Sequence, residues 1–255
     1  MKQALCFPYE DELIEASQQE SLALITIKCD VYSAITSLAE SGRLLALMRA
    51  AEIDPQTKAL VLNSNPECFS REEFDNFFDQ IRPLSGRQDC RQDEAHLKNE
   101  RMRYANLLNR FIVHLLAFRK ISVALLPGEV VAPFFGASLA ADFRMAGSEM
   151  VFLTNHSENI LHPGGALPFF LPRYLGPGRA TEILLTGRSI AAGEALELGL
   201  VNQVLEPENF LEQALQEVRK LCRLPLQSVM TAKMLMSDLS AEFPRYLDRE
   251  AVLLH

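Results

Sequence analysis

Residues 178–205 read GRATEILLTGRSIAAGEALELGLVNQVL and carry the most distinctive pattern of the chain. Apolar spacing predicts a helix over residues 180–186 and a second helix over residues 191–198. Gly199 follows the second helix at the position where a left-handed residue commonly ends a helix. The stretch is therefore predicted to form two short helices with a glycine stop.

Composition places the chain among ordinary globular proteins. It has 255 residues, of which 48% are hydrophobic and 23% are charged. The net charge of −8 argues against nucleic acid as a partner, because phosphate backbones are bound by basic surfaces. The N-terminal sequence turns acidic within ten residues and no apolar run is long enough for a membrane span, so we expect neither a signal peptide nor a membrane partner. The five cysteines form no C-x-x-C pair, which predicts reduced thiols and a cytoplasmic location.

Hydrophobic patterning predicts strands early in the chain and helices late. Apolar or β-branched runs favour strands at residues 22–28, 59–62, 121–126, 143–146 and 150–153. Helical spacing favours helices at residues 34–52, 72–81, 104–118, 136–141, 208–223, 225–237 and 242–255. The polar residues that follow position 81, up to position 98, predict a mobile loop. This order predicts one α/β domain with a helical C-terminal region.

Five segments, in order and with matching spacing, reveal a family resemblance. Residues 178–205 closely resemble the signature RA-x-E-x-x-LTGR-x-I-x-A-x-EA-x-x-x-GLVN-x-V of the enoyl-CoA hydratase/isomerase (crotonase) superfamily. Residues 23–28 resemble its first strand. DPQTKALVLNSNPECFS at 54–70 and KISVALLPGEVVAPFFGASLAADFRMA at 120–146 resemble two further blocks, and Pro172-Arg173 follow Pro163 at the family's spacing. The resemblance covers about residues 20 to 250.

The resemblance implies a fold, a class of partner and an assembly. The fold would be a crotonase-like ββα spiral, with the core over residues 1–200 and a C-terminal helical trimerisation region over residues 201–255. Its members bind acyl-CoA thioesters, so the expected partner is an acyl-CoA or acyl-carrier thioester. Coenzyme A would be part of the substrate, with no separate cofactor and no metal. The expected assembly is a homotrimer or a hexamer.

The resemblance also places an oxyanion hole, in which two backbone N–H groups hold the thioester oxygen. A glycine triplet normally supplies one donor, and its three positions are Ala132, Pro133 and Phe134 here. Pro133 stands at the middle, donating position and has no N–H, so this donor is lost. The other donor position, after Phe69-Ser70, is Arg71, and its backbone N–H can serve.

Carboxylates are missing from the positions where the family performs acid–base chemistry. The two glutamates of its hydratases correspond to Gly136 and His156, and an aspartate used by some isomerases and a dehalogenase corresponds to Gly164. Two-glutamate hydration should therefore not run. His156 can move protons near neutral pH, or it is a polar residue in a pocket without chemistry. Glu158 is either a carboxylate in a shifted register or a surface residue.

Other candidates would surround the ligand. Phe134 either lines an acyl pocket or fills volume that a ligand no longer occupies, and His162 either reaches the pocket mouth or has a packing role. The further lining positions are Ser70, Ala132, Gly136 and Gly164. Four cations of the predicted loop either hold the CoA phosphates or are simply solvated: Arg82, Arg87, Arg91 and Lys98.

Two functions follow from these departures. The first is an active lyase or isomerase of fatty-acid metabolism that isomerises, decarboxylates or cleaves a C–C bond, because these reactions need fewer paired carboxylates than hydration. The second is a catalytically inactive member of the family that serves as a scaffold or regulator.

Overall fold

A central sheet of seven strands dominates the computed structural model, which describes residues 7–28, 30–32, 38–81, 90–154, 164–236 and 239–253. Within these residues its spatial order is β1-β2-β3-β4-β5-β7-β10, and a smaller sheet has the order β6-β8-β9. The strands are β1 (Tyr9–Glu10), β2 (Ile14–Gln19), β3 (Leu22–Ile27), β4 (Ala59–Ser64), β5 (Ile121–Leu126), β6 (Val130–Val131), β7 (Phe143–Gly147), β8 (Val151–Leu153), β9 (Ile190–Ala191) and β10 (Gln203–Leu205).

Helices cover both faces of the central sheet. They are α1 (Leu38–Ile53), α2 (Arg71–Ile81), α3 (Cys90–Ala117), α4 (Ala132–Ser138), α5 (Leu167–Thr186), α6 (Ala192–Glu197), α7 (Phe210–Leu221), α8 (Leu226–Met236) and α9 (Leu239–Leu253). Within the central sheet, β3, β4, β5, β7 and β10 run parallel, while β1, β2 and β3 are joined antiparallel. In the smaller sheet, β6 and β8 are parallel, and β9 is antiparallel to β8. Every residue of β5 is buried, as expected for a parallel strand that is covered on both faces.

The predicted α/β class is confirmed, and the differences lie at particular elements. The stretch 82–98 was expected to be a loop, but α3 already begins at Cys90 and therefore includes Arg91 and Lys98. Helix α4 begins at Ala132 rather than at 136, because a proline in the first turn of a helix needs no hydrogen-bond donor. The hairpin of β1 and β2 was not predicted. The expected glycine stop is present, since Gly199 has a φ of +70°.

Buried Arg144 holds the end of α4 against the segment before β10. Its Nε donates to the Leu200 carbonyl at 2.6 Å, and its Nη1 donates to the carbonyls of Ala141 and Ser138 at 2.7 and 3.3 Å. The Arg144 backbone N–H donates to Asn202 Oδ1 at 2.8 Å. Burial lowers the pKa of the Arg144 guanidinium. One guanidinium thus donates to the carbonyls of Ala141 and Leu200, and it shares the Ser138 carbonyl with the Ala141 N–H.

Asp142 attaches the C-terminal helices to the sheet. Its Oδ2 accepts hydrogen bonds from the Ser122 N–H at 2.8 Å, the Ser122 hydroxyl at 2.9 Å and Lys233 Nζ of α8 at 2.6 Å. Strand β10 pairs with β7, so the central sheet includes residues on both sides of position 200. The expected division at that position stays a prediction.

Helix α9 covers α5 and α3 through aromatic and polar contacts. The Phe243 ring lies 5.0 Å from the Phe169 ring, and Glu250 accepts hydrogen bonds from Tyr246 and Asn109 at 2.7 and 3.3 Å. In the described part of the chain, the helices lack the length and apolar character needed to cross a membrane.

Candidate functional site

Two loops that are distant in sequence meet where the oxyanion hole was expected. One precedes α2 and the other joins β5 to β6. A Cβ built on Gly128 would lie 2.4 Å from the Pro66 carbonyl oxygen, so only glycine allows this approach of two backbones. The Val131 N–H donates to the Phe69 carbonyl at 3.0 Å. These two contacts set the position of Arg71 relative to the second loop.

The backbone N–H of Arg71 is occupied by a carboxylate of the chain itself. It donates to Oε2 of Glu129 at 2.7 Å. Arg71 is the first residue of α2, where N–H groups have no partner within the helix and an anion is favoured. Ser70 already caps the same helix, because its hydroxyl accepts the Glu73 N–H at 3.3 Å. Sequence reasoning missed Glu129, since nothing in the local pattern joins residues 71 and 129.

Pro133 lies in the first turn of α4, and its ring nitrogen carries no hydrogen. The segment that leads into α5 packs directly on it: a Cβ built on Gly165 would lie 1.8 Å from the Pro133 carbonyl oxygen. Gly165 has a φ of +66°, and Ala166 follows with a φ of +56°. The Pro133 backbone is therefore in close contact with the Gly165 backbone of the segment before α5.

Gly136, at the position of the first expected glutamate, has no room for a side chain. A Cβ built on it would lie 2.2 Å from the Gly165 carbonyl oxygen and 2.8 Å from the Leu167 nitrogen. Both neighbours are backbone atoms, so they cannot turn aside as a flexible side chain would. At Gly164, by contrast, a Cβ would make an ordinary contact of 3.5 Å with the Pro133 ring.

Aromatic rings fill the space beside the two donor positions. Phe134 lies 4.6 Å from Phe69 and 5.1 Å from Tyr32 between ring centroids, and Tyr32 stacks on Phe77 at 4.9 Å. Burial, with smaller effects from Tyr104 and acidic neighbours, raises the pKa of Tyr32 well above its ordinary value of 10.0, so its hydroxyl stays neutral. Phe134 is thus buried against other rings.

An apolar cavity of about 50 Å³ lies between these rings and the central sheet. Its walls come from β3, β4, β5 and helices α1, α3 and α4, and include Phe69 and Phe134. Those two residues stand next to Ser70-Arg71 and Pro133. The cavity is therefore lined by residues that lie within two positions of both expected donors in the sequence, and it has room for only a few carbon atoms.

Acidic side chains surround a second, open depression of about 540 Å³ beside α2. It is lined by Asp30, Glu73, Asn76, Phe77 and Asp79. Such a surface repels phosphate groups. Among the residues that the structure describes, no cluster of three or more His, Cys, Asp or Glu side chains is suited to hold a metal ion.

Several predicted site residues lie outside the described residues: His156, Glu158, His162, Arg82 and Arg87. The backbone of α3 contains Arg91 and Lys98, whose side chains are not among those described. The structure brings together Ser70, Arg71, Ala132, Pro133, Phe134, Gly136 and Gly164 at the contact of α2, α4 and the segment before α5.

Comparison with known proteins gives consistent matches. The sequence model of the enoyl-CoA hydratase/isomerase family matches residues 17–255. The chain is 31% identical over 193 residues to 4-chlorobenzoyl coenzyme A dehalogenase-1 of an Arthrobacter species, covering 73% of this chain and 65% of the relative. It is 30% identical over 141 residues to a probable enoyl-CoA hydratase of Mycobacterium tuberculosis, covering 52% of this chain and 54% of the relative. The match thus spans about half to two thirds of these curated relatives.

A solved structure shows the same fold. The crystal structure of enoyl-CoA hydratase from Bacillus halodurans superposes with a TM-score of 0.71 at 20% sequence identity. The superposition covers 94% of this chain and 92% of that chain. The crotonase fold, predicted from the motifs, is confirmed.

Proposed function

Because the chain belongs to the enoyl-CoA hydratase/isomerase family, we propose that it binds an acyl-CoA or acyl-carrier thioester without adding water to an enoyl group. The observation that carries this proposal is the closed position at Gly136, where the Gly165 carbonyl fills the space that a catalytic carboxylate would need. The binding part rests on family membership and on the apolar cavity beside Phe69 and Phe134.

The ligand's acyl group would be short. The cavity of about 50 Å³ accepts only a few carbon atoms, and its lining is almost entirely apolar. The thioester carbonyl would point toward the start of α2, where the Arg71 N–H lies. A backbone N–H at a helix start polarises a carbonyl and stabilises negative charge that develops on its oxygen.

The chemistry left to this site is narrower than that of a hydratase. Loss of one oxyanion donor, as at Pro133, lowers the rate of such reactions by about 100- to 1000-fold. Isomerisation, decarboxylation or C–C cleavage needs fewer paired carboxylates, so a lyase or isomerase activity in fatty-acid metabolism is the form of catalysis that we propose. His156 would be its proton-transferring group.

Calorimetric titration with acetyl-CoA and crotonyl-CoA, with CoA alone as the control, tests the proposed binding. We expect both thioesters to bind and the ultraviolet absorbance of crotonyl-CoA to persist, because no water is added. Absence of binding at millimolar thioester would overturn the proposal. Steady hydration of crotonyl-CoA would overturn the claim that the protein adds no water to an enoyl group. If the wild type turns over another thioester and His156→Ala does not, the protein is an active enzyme of the proposed lyase or isomerase type.

A second candidate function is that of an inactive scaffold or regulator. The observation that favours it is the Glu129 carboxylate on the Arg71 N–H, which leaves that donor occupied. Thioester binding with no turnover of any substrate class in wild type, and with no effect of His156→Ala, would support this candidate over the enzyme.

We also propose a homotrimer or hexamer in the cytoplasm. Helix α8 exposes three consecutive apolar side chains, Met234, Leu235 and Met236, at 70%, 79% and 80%. Contact with further copies of the chain would cover them. Cys68 and Cys222 lie buried as thiols, which supports a reducing compartment. Light scattering should give a trimeric or hexameric mass, and Leu235→Glu should lower it; a monomeric wild type would contradict the assembly.

A further inference from the structure

We propose that Glu129 is a built-in competitor for the oxyanion position: its carboxylate holds the Arg71 N–H, and a thioester oxygen must displace it. The proposal rests on the proposed function, since it concerns the same site and the same class of ligand. It goes further by assigning a regulatory role to a residue that no motif singles out.

The position of Glu129 follows from the contacts between the loop before α2 and the loop that joins β5 to β6. Gly128 lies against the Pro66 carbonyl, and three residues later Val131 is hydrogen-bonded to Phe69. Glu129 stands between these two contacts, and the carboxylate reaches the Arg71 nitrogen at 2.7 Å. The backbone on both sides of Glu129 is thus anchored to the same loop that presents the Arg71 N–H.

The carboxylate is a stronger acceptor than a thioester carbonyl. Hydrogen bonds to an ionised acceptor are roughly twice as strong as those to a neutral one. The start of α2 adds a preference for negative charge. A neutral thioester oxygen therefore competes poorly for this N–H while Glu129 is in place, and the carbonyl contributes little to binding affinity.

A purely structural role would be that of an additional helix cap. Ser70 already caps α2 by accepting the Glu73 N–H, so removal of Glu129 leaves that cap intact. The two roles differ in one measurable quantity. A cap affects the stability of α2, whereas a competitor affects how much the ligand's carbonyl oxygen adds to affinity.

The experiment compares acetyl-CoA with its thioether analogue S-ethyl-CoA, which lacks the carbonyl oxygen. Calorimetry gives both dissociation constants for wild type, Glu129→Ala, Glu129→Gln and the control Glu72→Ala, which removes an exposed carboxylate from the same helix end. The measured quantity is the dissociation constant of S-ethyl-CoA divided by that of acetyl-CoA. Circular dichroism checks that each variant is folded.

We expect a ratio near one for wild type and Glu72→Ala. In Glu129→Ala, acetyl-CoA should bind about three- to tenfold more tightly than the thioether, which is the effect of one net hydrogen bond. Glu129→Gln keeps the size of the side chain without its charge and should give an intermediate ratio.

Each other outcome decides between the claims. Thioester binding with the same ratio in all four proteins overturns the competitor role and leaves the proposed function standing. A ratio well above one in wild type also overturns the competitor role, because the Arg71 N–H would then already be available. Binding by Glu129→Ala alone overturns the proposed function and with it the displacement of Glu129 by a thioester, because the wild-type chain would then bind no ligand. Absence of binding by all four proteins overturns both proposals.

Discussion

Gly136→Ala is expected to destabilise the protein, although alanine is the better helix former. Gly136 lies in α4, and a Cβ at this position would be 2.2 Å from the Gly165 carbonyl oxygen. To reach ordinary contact at 3.4 Å, α4 and the segment before α5 must separate by about 1.2 Å. That movement disturbs a region in which every residue of α4 is buried.

The size of the effect follows from two opposing contributions. Overpacking a buried site lowers stability by about 1–3 kcal/mol, and the upper end applies because the clashing atoms belong to the backbone. Replacement of glycine by alanine within a helix stabilises by about 1 kcal/mol. We therefore expect the free energy of unfolding to fall by about 2 kcal/mol in Gly136→Ala.

A matched control is available in α1. Gly42 also lies within a helix, but among the described residues no atom outside its own stretch of helix backbone lies within 4 Å of a Cβ built on it. Gly42→Ala should therefore raise the free energy of unfolding by about 0.5–1 kcal/mol. Urea denaturation followed by circular dichroism measures both changes as shifts of the midpoint at constant slope.

A Gly136→Ala protein at least as stable as wild type, together with the expected stabilisation in Gly42→Ala, would contradict the close contact at Gly136. The close approach of Gly165 would then be absent in solution, and the position of the first glutamate would be open. Gly136→Glu extends the same test to function: it should disturb folding and should not produce hydration of crotonyl-CoA. A folded Gly136→Glu protein that hydrates crotonyl-CoA would contradict the closed site directly.

Three further predictions concern the scaffold and its sensitivity to acid. Arg144→Met leaves buried carbonyls unpaired and should lower the free energy of unfolding by about 3 kcal/mol in urea denaturation; a loss below about 1 kcal/mol would contradict that role. A double-mutant cycle of Lys233→Met and Asp142→Asn should give a coupling of about 1 kcal/mol, and zero coupling would contradict a stabilising role of this ion pair. Hydrogen bonds, led by that from the Thr57 hydroxyl, hold the pKa of Asp54 below its ordinary value of 3.8. Its contribution to stability is therefore complete above pH 3.8 and is lost as pH falls through the lower folded-state pKa. The urea midpoints of wild type and Asp54→Asn should converge on acidification, and a constant difference would contradict this.

Elements with strong local signals could be predicted from the sequence. β5 is a continuous apolar run and was predicted with its observed bounds, Ile121–Leu126. The left-handed Gly199 was predicted from its place after a helical segment. The start of α3 was missed because its first turns are polar and show little periodicity. Strands β6 and β9 have two residues each, which is too short for a sequence pattern.

The site was predictable in its chemistry but not in its contacts. The missing N–H of Pro133 is a property of the residue type, so it is visible in the sequence. The hydrogen bond from Arg71 to Glu129 joins residues 58 positions apart, and no local rule predicts it. The clash at Gly136 depends in the same way on Gly165 of another element.

The residues that make the family recognisable and the residues that would perform its chemistry are under different constraints. Asp142, Arg144 and Asn202 belong to the matching motifs, and each is held in buried or partly buried hydrogen bonds that support the fold. Neither Glu129 nor Gly136 takes part in those hydrogen bonds. The first group therefore supports the fold without determining which residues stand at the donor and carboxylate positions, and Gly136 is constrained instead by its close contact with Gly165. Family membership and fold follow from that group, whereas the reaction has to be read from Arg71, Glu129, Pro133 and Gly136.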